Sequence, residues 1–108
     1  MDLHSSFSKG DLEAVDKLIK MGVDVNKANG CGSTPLLIAA TLRCRRREFV
    51  EKFLQAGANP QLTNAFGGFP LLRAAEDNYL DSVCLLLRAG ADPNQTNEHE
   101  ESPIGVAA

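Results

Sequence analysis

Few residues in this chain are of the kind that carry chemistry. The histidines are His4 and His99, and neither stands at a spacing that a metal site or a nucleophile–base pair requires. Both read as solvated side chains. The three cysteines, Cys31, Cys44 and Cys84, lie far apart, with no C-x-x-C pair and no histidine beside them. Such spacing speaks against a zinc site or a disulfide framework. No Walker or dinucleotide glycine pattern occurs. The stretch Ala65-Phe66-Gly67-Gly68-Phe69 is glycine-rich, but glycine there serves backbone turning better than it serves a phosphate. The expectation is no catalytic residue, no cofactor and no metal.

What remains is charge and one misplaced aromatic. Arg43-Cys44-Arg45-Arg46-Arg47 is the most unusual run. It reads as a solvated loop, or with Arg45 and Arg46 as a docking patch for an acidic partner, a phosphate contact or a nuclear-localisation signal. It could also meet Glu76, Asp77 or Asp81. A thiol among arginines, Cys44, could have a lowered pKa. Net charge is −3, which argues against nucleic-acid binding. The charge is uneven: residues 1–54 hold 9 basic and 7 acidic groups, residues 55–108 hold 2 and 7. The second half therefore favours a basic partner, and Glu98-His99-Glu100-Glu101 is either a solvated loop or a site for a basic peptide. Phe66 falls among turn residues, where core packing does not explain a ring; it reads either as a contact for a partner or as packing on the next turn.

The chain has 108 residues, 44% hydrophobic, with no apolar run near the roughly 18 residues of a membrane span. No membrane association is expected. Its first residues lack the basic start and apolar stretch of a secretory signal. With an odd cysteine count, the expected compartment is cytoplasmic, nuclear or both.

The elements that position these residues repeat. Ser33-Thr34-Pro35-Leu36-Leu37-Ile38-Ala39-Ala40 is matched by Gly68-Phe69-Pro70-Leu71-Leu72-Arg73-Ala74-Ala75. It is matched again by Glu101-Ser102-Pro103-Ile104-Gly105-Val106-Ala107-Ala108. Pro35 to Pro70 is 35 residues and Pro70 to Pro103 is 33; Gly22, Gly57 and Gly90 keep the same spacing. Two independent markers in one register define a repeat of about 33 residues.

Each marker has a physical role. Thr34 and Ser102 suit an N-cap, and the proline after each suits the first helical position. Phe69 cannot cap. The alanine pairs let a short inner helix lie close to its neighbours. An outer helix follows, with apolar stripes at Val15/Leu18/Ile19, Val50/Phe53/Leu54 and Val83/Leu86/Leu87. Gly22, Gly57 and Gly90 stop these helices in the left-handed region. Asn29, Asn64 and Asn97 tolerate positive φ and favour turns, so a β-turn or hairpin tip is expected before each inner helix.

On these residues the chain resembles the ankyrin-repeat family, whose pattern runs from an Asx turn through G-x-T-P-L-H-x-A-A and an outer helix to G-A-D-x-N. The resemblance implies an all-α solenoid of helix–turn–helix units joined by β-turn or hairpin loops, a single domain over 1–108. Residues 2–26 resemble a capping repeat, 27–61 and 62–94 full repeats, and 95–108 a partial one. Four departures stand out. Leu37, Leu72 and Gly105 replace the family's histidine, so apolar packing takes the place of its hydrogen bond to the turn. Two extra residues fall within Thr41–Arg47. Arg47 stands where Leu12 and Leu80 stand elsewhere. No outer helix follows Ala108, so an open apolar face over Ile104–Ala108 is expected, together with a longer natural chain or another cover.

The family implies a protein–protein interaction module, not an enzyme, that docks another protein on turn tips and the concave inner-helix face. Carried over by position, the site takes Cys31 and Ser33 in the first full turn, with Thr41 and Leu42 after its alanines. It takes Phe66 and Gly68, then Arg73, Glu76 and Asp77, in the next repeat, and His99 and Glu101 in the last turn. The alternatives are a fragment that self-associates through the open C-terminal face, or repeats that regulate a larger enzyme or channel.

Overall fold

The computed structural model describes residues 12–42 and 46–103. Five helices lie among them: α1 (Leu12–Lys20), α2 (Pro35–Ala39), α3 (Arg46–Gln55), α4 (Pro70–Glu76) and α5 (Leu80–Arg88). The described residues contain no β-strand. The short helices α2 and α4 form an inner layer and pack on each other. The longer α1, α3 and α5 stack as an outer layer, α3 touching both neighbours. The result is the all-α solenoid of helix–turn–helix units, elongated to 38 × 26 × 22 Å.

The inner helices start on proline. Thr34 caps α2, its hydroxyl accepting from the Leu37 amide at 3.3 Å. Phe69 makes no capping hydrogen bond to α4. Its ring is instead fully buried, so apolar burial fixes that helix start where a cap does not. Leu37 and Leu72, at the histidine position, are 4% and 2% exposed. Apolar packing does replace the missing side chain at both. Gly105 and the expected face over Ile104–Ala108 lie outside the described residues, as do Arg43, Cys44 and Arg45.

All three outer helices end in one device. The amides of Val23, Ala58 and Ala91 reach back to the carbonyls of Leu18, Phe53 and Leu86 at 3.3, 3.0 and 3.0 Å. The glycine just before each sits at φ +87, +90 or +95. This is the Schellman closure, which needs a left-handed residue at that point.

The outer stripes are buried to different depths. Val15, Val50, Phe53 and Leu86 are fully buried, and Phe49 stacks on Phe53 with ring centroids 6.3 Å apart. The expected stripe fails at its last member: Leu87 is 42% exposed, and Leu80 is 67% exposed. At the corresponding positions Leu12, Ile19 and Leu54 are half-buried and packed against the core, whereas Arg47, the α3 counterpart of Leu80, is exposed and pairs with Glu51. Among the described residues no outer helix follows α5; after it only Pro103 is helical.

Candidate protein-docking surface

The turn tips are built identically. Asn29, Asn64 and Asn97 each accept two amides on one side-chain oxygen, from Cys31 and Ser33, Phe66 and Gly68, and His99 and Glu101, at 2.8–3.1 Å. Each loop is closed by the asparagine amide donating to the carbonyl of Ser33, Gly68 or Glu101. The turns stand where expected, but the asparagines work by accepting hydrogen bonds, not by adopting positive φ. The left-handed residue is the third one after each asparagine: Gly32 (φ 77), Gly67 (φ 80) and Glu100 (φ 61).

Neighbouring tips are tied together. The Ala65 amide donates to the Cys31 carbonyl at 3.0 Å, and Asn64 Nδ2 donates to the Ser33 hydroxyl at 3.1 Å. Asn97 Nδ2 donates to the Gly67 carbonyl at 2.8 Å. Gly67 is fixed twice over, because a Cβ there would stand 2.9 Å from Asn97 Nδ2.

Between these tips and the inner helices runs a groove of about 450 Å³. Of the residues expected at the site, Ser33, Thr41, Phe66, Gly68, Arg73, Glu76 and Glu101 line it. Ser33 is buried and Thr41 half-buried, its hydroxyl donating to the Ile38 carbonyl at 2.8 Å. Phe66 is 73% exposed at its tip. Arg73, Glu76 and Asp77 are exposed and form no ion pair with another described residue. Glu101 leans on Asn97, one carboxylate oxygen accepting from Nδ2 at 3.0 Å. Cys31 and His99 are exposed on their tips, beside the groove. The apolar floor was not among the expected site residues: Leu37, Ile38 and Leu72 line it too. Their signal in sequence was position alone, beside the alanine pairs of each inner helix.

Two expected residues are placed otherwise. Leu42 packs against the core, and its carbonyl accepts from Arg46 Nη1 at 2.9 Å. Arg46 is turned into the fold. Its Nε donates to the Ser82 hydroxyl at 3.2 Å, its Nη2 pairs with Asp81 at 3.0 Å, and its guanidinium lies 3.6 Å over the Tyr79 ring. All three guanidinium nitrogens are engaged, with 17% of the side chain exposed. It is a clamp between repeats, joining the start of α3 to the start of α5, and the contact with Asp81 is among those the sequence allowed. Burial opposes the Asp81 charge. The hydrogen bonds from Arg46 and the Ser82 amide outweigh it and hold the carboxyl below its usual range. One repeat earlier Asp16 joins α1 to α3: Lys52 at 2.9 Å, with Lys20 at 3.0 Å, lowers its pKa.

A second, apolar depression of about 180 Å³ opens beside α5, lined by Leu71, Leu80, Val83, Leu87, Pro93 and Pro103 among others. Among the described residues no group of histidine, cysteine or carboxylate side chains could hold a metal ion. No described helix is long and apolar enough to cross a membrane.

Comparison with known proteins agrees with this architecture. The family model for ankyrin repeats (3 copies) matches residues 3–97. The chain is 36% identical over 106 residues to ankyrin repeat and SOCS box protein 5 of Oryctolagus cuniculus, covering 96% of this chain and 31% of that protein. It is 37% identical over 87 residues to the putative ankyrin repeat protein YahD of Escherichia coli K12, 77% of this chain and 43% of that one. To cyclin-dependent kinase 4 inhibitor B of Bos taurus it is 30% identical over 107 residues, 98% of this chain and 79% of that one. It thus spans less than half the length of the first two. Ankyrin repeats are protein–protein interaction modules, and this chain belongs to the ankyrin-repeat family.

Proposed function

We propose that the concave face from the turn tips to α2 and α4 docks another protein, with Phe66 as its anchor, and that the chain performs no catalysis of its own. One observation carries the reading: an exposed aromatic ring overhangs a groove with an apolar floor and uncompensated charges at Arg73 and Glu76. Exposed aromatics and arginines dominate the energetics of docking surfaces. A net charge of −3 disfavours nucleic acid as the partner, and the reading includes neither nucleic acid nor membrane. It places the protein in the cytoplasm or nucleus, where its cysteines stay reduced. The test is capture from cell extract with the wild-type chain and with a Phe66→Ala, Arg73→Ala, Glu76→Ala triple variant. Proteins retained by the wild type and lost from the triple variant support the assignment. Equal retention by both overturns it.

A second reading has its own observation. Leu80 and Leu87 are 67% and 42% exposed beside the apolar depression next to α5, a surface through which two copies could associate. Light scattering across a concentration series separates the readings. A strict monomer removes self-association; a dimer dispersed by Leu80→Glu establishes it.

A further inference from the structure

We propose that the segment held in the groove is basic as well as apolar: an extended stretch of protein that lays an apolar side chain on Phe66 and brings a lysine or arginine to Glu76 and Glu101. This rests on the docking reading above and adds the chemistry of the partner. The surface changes character along its length. The first two tips, residues 29–33 and 64–68, carry no charged side chain, and the floor beside them is apolar at Ile38. Toward the last repeat the groove is walled by Glu76 and Glu101. Asp77 follows Glu76 at the exposed end of α4, and Glu98 and Glu100 share the tip of Glu101. Among the lining residues Arg73 is the cation against the carboxylates Glu76 and Glu101, and Asp77, Glu98 and Glu100 add negative charge beside them.

These carboxylates are not used up inside the fold. Glu76 and Asp77 form no ion pair with a described residue, Glu101 has only the Asn97 amide on one oxygen, and Glu98 lies 3.8 Å from His99 Nε2, a cation only when protonated. The acidic groups paired with cations inside the fold, Asp16, Glu51 and Asp81, lie on the outer helices and have those cations at 2.9–3.1 Å. An uncompensated acidic wall in a concave surface attracts a cationic segment and repels an acidic peptide or a nucleic acid. The neutral apolar end and the acidic end together select a partner with an apolar residue followed by positive charge, and they fix its direction.

The probe is a phage-displayed library of random dodecapeptides selected on the 108-residue chain, with the recovered peptides titrated by fluorescence anisotropy. The expected peptides lose binding to Phe66→Ala and carry lysine or arginine several-fold above the naive library, near an apolar residue. Replacing both Glu76→Gln and Glu101→Gln should weaken the best peptide ~10-fold and flatten its salt dependence. Phe66-dependent peptides that are neutral or acidic, or an unchanged affinity in the glutamine variant, overturn the basic partner and leave the docking reading standing. Peptides indifferent to Phe66→Ala overturn both.

Discussion

Arg46 should be the most costly single charge to remove from this protein. Arg46→Ala deletes hydrogen bonds to Leu42, Ser82 and Asp81 and the contact over Tyr79. Hydrogen bonds from a charged donor contribute about 1.5–3 kcal/mol each when well shielded. That range must be reduced here, because Asp81 is 36% exposed and its pair is screened toward the ~0–1 kcal/mol of surface ion pairs. The stacking contact adds roughly 0.5–1 kcal/mol. Against these stands the freedom regained by an arginine side chain, about 2 kcal/mol. Ser82, fully buried, is left with an orphaned hydroxyl worth roughly 1 kcal/mol. The net loss should be about 2–3 kcal/mol, a fall in Tm on the order of 10 °C for a domain of this size. Urea and thermal unfolding followed by circular dichroism measure it. Arg46→Lys, which keeps the charge but not the planar fork, should recover less than half. Ser82→Ala made in the Arg46→Ala background should cost less than in the wild type, since the hydroxyl is already unpartnered. A loss below about 0.5 kcal/mol for Arg46→Ala would refute the clamp, because surface substitutions outside such features fall within that range.

Other consequences can be measured by the same unfolding experiments. Glu100 holds the left-handed position that glycine holds in the other two tips; Glu100→Gly should stabilise the chain by roughly 0.5–1 kcal/mol, the conformational penalty minus the entropy glycine adds to the unfolded state. Gly67→Ala meets both a φ of 80 and Asn97 at 2.9 Å and should destabilise by at least ~1–2 kcal/mol, an effect that Asn97→Ala in the same chain should partly relieve. Asp81 and Asp16 have folded pKa values below their unfolded ones, so the stability they supply is present above the unfolded value near ~3.9 and is lost as pH falls through the folded value. Asp81→Asn should therefore be destabilised relative to wild type at neutral pH and converge with it in acid. Divergence on acidification would contradict the assigned pairing.

Much of the fold was legible because its punctuation is chemical. Proline at a helix start, glycine at a helix stop and asparagine in the turn each answer a local backbone requirement, and three copies in one register removed ambiguity. The mechanism at asparagine was not legible. Its side-chain oxygen and the positive φ of the third residue after it both make turns, and residue type alone does not separate them. Phe66 was conspicuous because no core position explained it. Arg46 was not separable from Arg43, Arg45 and Arg47, since its partners Asp81 and Ser82 come from the next repeat. Leu37, Ile38 and Leu72 read as core by hydrophobicity, although the groove reaches them. Leu80 and Leu87 have the spacing of a buried stripe; spacing tells which face a residue takes, not what covers that face.

The most direct test of the docking surface is amide chemical-shift mapping on the 108-residue chain as a captured partner or a selected peptide is titrated in. The account predicts that the largest changes fall on Phe66, Gly67, Arg73, Glu76 and the tip at Glu101, with α1, α3 and α5 little affected. Changes centred on Leu80, Val83 and Leu87 instead would contradict it.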